Sequence, residues 1–291
     1  MDFITQVING LSTGSMYALV AIGYTMVYGI AKMINFAHGE IIMVGAYLAF
    51  VVSTMLGMPV IASVIISIIG CAILGMTIEK VAYKPLRNSG GLSVLITAIG
   101  VSYLLQNLFL IIFGSASITF PSFMPNGAID FFGAQITYVS LLSLVLTSIC
   151  TILLLLFINK TKLGKAMRAV SEDKGAAELM GINVNNTVSM TFAIGSGLGA
   201  IAGIIYGISY SLINPYIGVM LGIKAFIAAV LGGIGSIPGA MVGGLLIGVA
   251  ESITISYISS SFSDAVVFGI LIFILLVKPA GLFGKNIREK V

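Results

Sequence analysis

Long apolar runs alternate with short polar segments along the whole chain. An α-helix needs about 20 apolar residues to cross the hydrocarbon core of a bilayer, and most of the runs are about that long or longer. The pattern therefore predicts an all-α fold, a polytopic integral membrane helical bundle with about eight membrane passages. The apolar runs have approximate bounds at 8–31, 39–57, 60–82, 92–113, 137–158, 187–211, 221–256 and 264–278.

The composition excludes a soluble globular protein. The chain has 291 residues, of which 58% are hydrophobic and 8% are charged, and its mean hydropathy is +1.14. Soluble domains carry roughly 25% charged residues. We therefore expect a single membrane domain over residues 1–291, without an attached soluble domain.

The seventh run is interrupted by glycine and proline. Its middle, 231–240, contains Gly235, Pro238 and Gly239, and these residue types weaken or break a helix. Backbone groups freed at membrane depth are tolerated only inside protein or beside a wet cavity. Segment 221–256 is predicted to be a hairpin or re-entrant element. Interrupted helices of transporters lie near the binding region, so Gly235 and Gly239 are candidate pathway residues.

A second polar interruption lies between the first two apolar runs. It contains Lys32, Asn35, His38 and Glu40, with Gly39 as a helix breaker. A charged side chain at membrane depth costs about 2.5–3.5 kcal/mol on insertion scales, so such residues are candidates for function. Asn35, His38 and Glu40 are therefore candidates for lining a pathway or gate. The alternative is that His38 and Glu40 lie at the level of the lipid headgroups.

Two further charges flank the interruption of the seventh run. Lys224 and Glu251 are expected either to form an ion pair, with each other or with Glu40, or to line a gate or pathway. By contrast, Glu79 and Lys80 stand at the end of the third run and are expected to be solvated.

Small residues recur at every fourth position in the sixth run. Gly195, Gly199, Gly203, Gly207 and Ser211 share one face of a helix. Small residues let helix backbones approach closely in a membrane, so we expect this face to contact another helix rather than lipid. A dinucleotide-binding fingerprint is excluded because no soluble strand precedes the glycines.

Lysine and arginine are concentrated in a few connecting segments. They occur in 79–91 and 159–186, whereas 114–136 and 212–220 contain neither residue type. Cation-rich loops stay on the cytoplasmic face, so the N-terminus is expected outside and the C-terminus inside. Segment 221–256 must then return to the face that it left. The C-terminal cations that support this orientation are Lys278, Lys285, Arg288 and Lys290.

The longest polar segment, 159–186, is expected to be a cytoplasmic coupling loop that receives a signal or energy from a partner. It carries five of the 14 Lys and Arg residues. Helix-forming residues over 171–180 predict a short helix with Ser171 as its N-cap, acidic residues at its start and Gly181 at its end. The alternative is an ordinary loop whose cations serve only to set the orientation.

The sequence carries no recognisable catalytic or nucleotide-binding pattern. It lacks the glycine-rich loop with Lys-Ser/Thr that holds ATP phosphates, and its single histidine and two cysteines make no metal cluster. The formal charge of +4 is not accompanied by a basic face with interleaved aromatic residues. We expect no enzyme activity, no cofactor, no metal and no nucleic acid partner.

Four parts of the sequence form a specific pattern. They are Asn35–Glu40 with Gly45–Tyr47, Arg168–Val170 with Ala176–Asn183, Leu231–Gly239, and Lys278–Gly284. Together they resemble the permeases of branched-chain amino-acid ABC transporters, and specifically the first of their two membrane subunits. The resemblance implies a multi-pass protein of a bacterial or archaeal cytoplasmic membrane.

The resemblance also implies a complex of several chains. A second permease subunit would complete a heterodimeric membrane core, two cytoplasmic ATPase subunits would supply energy, and an extracytoplasmic solute-binding protein would deliver the solute.

The polar loop further resembles the coupling motif of importers, Glu-Ala-Ala followed by Gly four residues later. Ala176, Ala177 and Gly181 match this motif, while Gly175 stands in place of the Glu. The candidate ATPase-coupling residues are Lys165, Arg168, Ala176, Ala177 and Gly181.

The sequence thus indicates a membrane-spanning permease subunit of an ATP-driven importer of branched-chain or similar hydrophobic amino acids. One alternative is a permease for urea or short amides. Another is an ion-coupled secondary transporter, in which Glu40 and Glu251 would be the titrating acids. A channel, the third alternative, would conduct without any ATPase.

Overall fold

The computed structural model describes residues 2–87, 89–125, 127–131 and 134–284, and within these ranges it is a bundle of α-helices. The tail cations Lys285, Arg288 and Lys290 lie outside the described residues. The helices are α1 (Asp2–Ala31), α2 (His38–Phe50), α3 (Val60–Ile78), α4 (Gly91–Phe113), α5 (Tyr138–Lys160), α6 (Lys162–Glu172), α7 (Lys174–Leu179), α8 (Val184–Tyr210), α9 (Ile217–Gly232), α10 (Ile237–Tyr257) and α11 (Ser263–Val277).

The number of membrane passages agrees with the prediction. In the described part of the chain, eight helical segments are long and apolar enough to cross a membrane, and α9 is a shorter apolar helix. Two of the eight continue past their α-helix in a π-helical turn, α2 through Val51–Met55 and α3 through Glu79–Tyr83. The predicted class, a polytopic helical membrane bundle, is therefore confirmed.

Short antiparallel ribbons join the loops at one end of the bundle. The strand β1 (Ile118–Thr119) pairs with β4 (Leu212–Ile213), so the loop after α4 meets the loop after α8. The strands β2 (Ala128–Phe131) and β3 (Ala134–Thr137) form a hairpin that leads into α5. The cation-free loops after α4 and after α8 thus meet at the same end of the bundle.

The cation-rich segments meet at the opposite end. Arg87 donates to Asn185 Oδ1 at 2.5 Å, which joins the segment after α3 to the start of α8. Lys174 Nζ donates to the carbonyl oxygen of Ala31 at 3.0 Å, which joins α7 to the end of α1. The predicted orientation requires this grouping, since it assigns the cation-rich segments to one face of the membrane.

Helices α1 and α8 form the centre of the bundle, and α4 lies at its periphery. Among the 18 most apolar consecutive residues of each helix, 89% are buried in α1 and 83% in α8, against 11% in α4. Glycine makes this centre compact. A methyl group added at Gly10 or Gly14 of α1 would lie 2.6–2.8 Å from backbone atoms of α10.

The glycine face of α8 packs against other helices, as predicted. A Cβ added at Gly195 would lie 3.3 Å from Val27 of α1, and one added at Gly203 would overlap the carbonyl oxygen of Ile42 in α2. The contact between α8 and α2 is the closest of these, and it leaves room only for glycine at position 203.

The interrupted segment 221–256 forms two helices, α9 and α10, and the break between them lies at the cation-rich end of the bundle. Helices α9 and α10 are joined by a turn in which Gly233 and Gly235 have φ of +102° and +99°. Side chains disfavour this conformation. The segment after α11 packs over this turn. There the backbone N–H of Leu282 donates a hydrogen bond to the carbonyl oxygen of Leu231 at 2.8 Å.

The glycine face of α8 leads to a prediction about stability. Gly203→Leu should lower the melting temperature of the purified protein or prevent its assembly, since overpacking costs about 1–3 kcal/mol or more. Gly269→Leu is the control, because a Cβ at Gly269 of α11 meets open space. Equal melting temperatures for the two variants would contradict the assigned helix contact.

Candidate functional site

The candidate pathway residues of the N-terminal half are buried together at the start of α2. Asn35, His38 and Glu40 are 2%, 1% and 1% exposed. The chain leaves α1 at Ala31, with Lys32 in the left-handed region at a φ of 59°. It then runs through a non-helical segment before α2 begins at His38. All three side chains are thus enclosed by protein.

The start of α2 lies level with the middle of α4 and of α8. Glu40 Oε1 accepts a hydrogen bond from Ser102 Oγ at 3.1 Å, and Ser102 stands at the middle of α4. His38 Cε1 lies 3.9 Å from where a Cβ on Gly199 would be, and Gly199 stands near the middle of α8.

Aromatic residues that the sequence analysis did not single out complete this polar cluster. Tyr83 donates its hydroxyl to Asn35 Oδ1 at 2.8 Å. The Tyr24 ring meets the His38 ring edge-on, with centroids 4.8 Å apart. The His38 ring fits between α1 and α8 because Gly23 leaves it room, and a side chain at Gly23 would overlap it.

Several polar atoms of this region have no hydrogen-bond partner within the described part of the chain. Nearly all buried polar groups in native proteins are hydrogen-bonded, so such a concentration requires an explanation. Ionisable side chains at membrane depth are candidates for function. The unpartnered atoms are Thr25 Oγ1, Asn35 Nδ2, His38 Nδ1 and Nε2, Glu40 Oε2, Tyr47 Oη and Ser196 Oγ.

Lys224 and Glu251 form a second, fully paired group of charges. Lys224 Nζ lies 2.6 Å from Glu251 Oε1 and 2.7 Å from Asp264 Oδ1. Tyr17 donates its hydroxyl to Glu251 Oε2 at 2.6 Å. Lys224 and Glu251 thus form the ion pair that was one of the two expectations for them. It joins α9 to α10 and α11, with Tyr17 adding α1.

Gly235 and Gly239 do not belong to either polar group. Both lie at the α9–α10 turn, where Ser236 Oγ accepts a hydrogen bond from Gly239 N at 3.2 Å. A Cβ on Gly235 would meet open space, whereas Gly239 packs against Gly232 of α9.

The expectation that Glu79 is solvated was wrong. Glu79 is 0% exposed and accepts hydrogen bonds from Arg87 and from Ser189 of α8. Arg87 folds back over the 3₁₀ turn Lys84–Leu86 and supplies the charge that allows a carboxylate to be buried there. Lys80 is exposed, as expected.

The polar loop contains two helices where one was expected. Helix α6 ends at Glu172 and α7 begins at Lys174. Ser171 lies in the last turn of α6 and donates to the carbonyl oxygen of Arg168 at 2.7 Å, so it is not the predicted N-cap. Asp173 is the cap instead, because its extended backbone breaks the helix and its Oδ1 accepts from Ala176 N at 3.0 Å.

The predicted end of the short helix is confirmed, and its tip is apolar. Gly181 has a φ of +81°, a conformation that suits glycine at a helix end. Leu179 and Met180 beside it are 90% and 82% exposed. The sequence analysis did not single out these two residues. Ala177 is buried, whereas Ala176 faces solvent.

Lys165 and Arg168 are exposed on α6, while Met167 and Val170 are its buried side chains. Lys174 attaches α7 to the end of α1 through its bond to Ala31. Burial lowers the pKa of the Lys174 ammonium group, and the charges of Arg87 and Lys32 lower it further.

Comparisons with known proteins agree with this architecture. A family model described as "Branched-chain amino acid transport system / permease component" matches residues 6–275. The high-affinity branched-chain amino acid transport system permease protein BraD of Pseudomonas aeruginosa is 46% identical, over 99% of this chain and 98% of its own length. The corresponding protein LivH of Escherichia coli K12 is 45% identical over the same shares.

The chain belongs to this permease family. It is a multi-pass membrane protein and a permease component of a transport system rather than an enzyme. A more distant relative, described as a probable branched-chain amino acid transport permease protein LivH, comes from Methanocaldococcus jannaschii. It is 31% identical over 60% of this chain and 56% of its own length.

The ion-paired group of this permease leads to a second stability prediction. Lys224→Met leaves the carboxylates of Glu251 and Asp264 without their cation, which should cost about 3–5 kcal/mol for a buried pair. The variant should melt well below the wild type in a detergent thermal-shift assay. Adding Glu251→Gln should restore part of the loss, and Lys80→Met, at an exposed lysine, is the matched control. If Lys224→Met and Lys80→Met melt at the same temperature, the ion pair has no structural role.

Proposed function

We propose that this permease is one of two membrane subunits of an ATP-driven importer of branched-chain or similar hydrophobic amino acids. The similarity to BraD and LivH, which extends over nearly the whole chain, carries the proposal. The other components would be a second, different permease subunit, two cytoplasmic ATPases and an extracytoplasmic solute-binding protein. Residues 1–291 then act as one permease domain, with 159–186 as its cytoplasmic coupling loop.

The coupling loop is proposed to bind the ATPase through α7 and the residues around it. The exposed Leu179 and Met180 offer an apolar tip of the kind that inserts into a partner's groove. Lys165 and Arg168 of α6 provide exposed cations beside it. Ala176, Ala177 and Gly181 would set the shape of this surface.

Helix α7 is connected to the start of α2 through the end of α1. Lys174 holds the carbonyl oxygen of Ala31, the last residue of α1. The next six residues lead to His38, where α2 begins. We propose that closure of the ATPases pulls on this connection and biases the bundle between two states of different access.

The pathway is proposed to include the polar cluster of Asn35, His38 and Glu40. Lys224 and Glu251 would act at a gate as an ion pair between α9 and α10. Gly235 and Gly239 would contribute through the α9–α10 turn, whose glycine backbone lets the hairpin bend.

The ion-coupled alternative has one observation in its favour. Glu40 is a buried acid with an unpartnered oxygen among the described residues. Glu251, the other candidate acid, is held by Lys224 and Tyr17. Whether uptake depends on ATP or on an ion gradient distinguishes the ATP-driven importer from the ion-coupled transporter.

Uptake by the reconstituted complex tests the proposed function. The two permease subunits and the ATPases are placed in proteoliposomes with ATP inside, and labelled leucine is supplied with the solute-binding protein outside. ATP-dependent uptake that persists with ionophores and is competed by valine and isoleucine supports the proposal. Uptake that follows an ion gradient without ATP contradicts it, and competition by urea instead favours the amide alternative.

Replacing the glycine that ends α7 should uncouple the complex. Gly181→Val puts a β-branched side chain at a φ of +81°, where it is strongly disfavoured. The variant should insert and assemble, but receptor-stimulated ATP hydrolysis and uptake should fall together. Gly90→Val is the control, because Gly90 lies at the cytoplasmic end with a φ of −60° and open space around it. Normal coupled uptake by Gly181→Val would rule out this role of the turn.

Replacing the apolar tip should weaken ATPase binding without unfolding the permease. Leu179→Ser combined with Met180→Ser removes two side chains that contribute little to the fold because they are exposed. Each buried interface anchor is worth about 1–2 kcal/mol or more, so less ATPase should co-purify with the variant. Its melting temperature should match that of the wild type. Full retention of the ATPase would place the interface elsewhere.

A further inference from the structure

Two helices of opposite direction begin side by side at the middle of the membrane. Gly39 in the first turn of α2 packs directly on Gly218 in the first turn of α9. A Cβ on Gly218 would lie 2.6 Å from the carbonyl oxygen of Gly39, and one on Gly39 would lie 3.1 Å from the Cα of Gly222. The N-terminal ends of both helices, which carry partial positive charge, therefore lie close together.

The side chain of Glu40 occupies this junction. A Cβ on Gly218 would lie 2.7 Å from Glu40 Oε2, so the carboxylate reaches the first turn of α9. It also belongs to the first turn of its own helix, α2. Helix N-termini stabilise a negative charge, and the carboxyl group of Glu40 lies beside two of them.

The carboxylate has unused capacity to accept hydrogen bonds. A carboxylate offers about four acceptor positions on its two oxygens. Ser102 supplies one hydrogen bond to Oε1, and Oε2 has no partner within the described part of the chain. An acidic side chain at membrane depth with a free oxygen is suited to bind a cation.

We propose that Glu40 binds the α-ammonium group of an amino acid during its passage through the membrane. This inference rests on the proposed function and adds a residue that recognises one chemical group of the substrate. An ammonium group donates up to three hydrogen bonds, and bonds between charged groups are stronger than neutral ones. Urea and simple amides carry no such cation, so Glu40 favours zwitterionic solutes over them.

Access to Glu40 runs past α4. In the present state Glu40 is 1% exposed, and Ser102 of α4 lies over its carboxylate. Helix α4 is the least buried of the membrane-crossing helices, with exposed side chains such as Leu104 and Ile111 on its outer face. Separation of α4 from α2 uncovers the carboxylate without breaking the glycine contacts of α2 with α8 and α9.

The experiment compares three variants in the reconstituted complex with its solute-binding protein. Glu40→Gln keeps the size and an oxygen for Ser102 but removes the charge. Glu40→Asp keeps the charge on a side chain shorter by one methylene group. Ser102→Ala removes the existing hydrogen bond and leaves the carboxylate in place. The measured quantities are leucine uptake, receptor-stimulated ATP hydrolysis, and leucine imported per ATP hydrolysed.

Loss of one hydrogen bond between charged groups lowers a binding equilibrium by about tenfold or more. Glu40→Gln should therefore import at least about tenfold less leucine per ATP while its assembly and stimulated ATP hydrolysis stay near wild type. Glu40→Asp should recover part of the uptake, and Ser102→Ala should lose less than Glu40→Gln.

Three results would overturn the assignment. They are wild-type uptake by Glu40→Gln, equal losses in Glu40→Gln and Ser102→Ala, and failure of Glu40→Gln to assemble or hydrolyse ATP, which would make Glu40 a structural anion for α9. Each of these presupposes that the wild-type complex imports leucine with ATP. Failure of the wild type itself would instead reject the proposed function.

Discussion

The close approach of glycine backbones around the start of α2 is the constraint on which the rest of the structure depends. Gly23 leaves room for the His38 ring, Gly39 lies on Gly218, and Gly203 lets α8 reach the backbone of α2. In a membrane these contacts replace the hydrophobic effect as the source of helix association, because lipid is as apolar as the helices. They also enclose polar side chains that lipid would not accept.

The two groups of buried polar residues differ in how far their hydrogen bonds are satisfied. The group around Lys224 has partners on every side, with Glu251, Asp264 and Tyr17 drawn from three other helices. The group around Glu40 retains several unpartnered atoms in the described part of the chain. A satisfied network is suited to hold helices in one arrangement, whereas free acceptors and donors are suited to a ligand or water.

A short stretch of chain connects the cation-rich end of the bundle to the polar cluster. The bond from Lys174 to Ala31 joins α7 to the end of α1, and the segment that follows carries Asn35 and reaches Glu40. Tyr83, near the cation-rich end of the third passage, donates a hydrogen bond to Asn35 from the other side. Only a few residues thus separate α7 from the start of α2, so a displacement of α7 is transmitted to the polar cluster over a short distance.

The sequence by itself determined the features that depend on local pattern. The length of the apolar runs predicted the membrane passages, the positions of cations predicted which loops share an end, and glycine spacing predicted the packed face of α8. The Gly/Pro content of 231–240 predicted a break, and Gly181 predicted a helix end. Each of these follows from the chemistry of a few neighbouring residues, whose preferences survive in the folded chain.

Only the tertiary structure decided which side chains meet. It gave the cap of α7 to Asp173 rather than Ser171, because the chain turns there in an extended conformation. It buried Glu79 against Arg87 and Ser189, added Asp264 to the pair of Lys224 and Glu251, and brought Ser102 to Glu40. The physical reason is that most of these partners come from other helices, and helix packing selects them through shape and distance that no local pattern records.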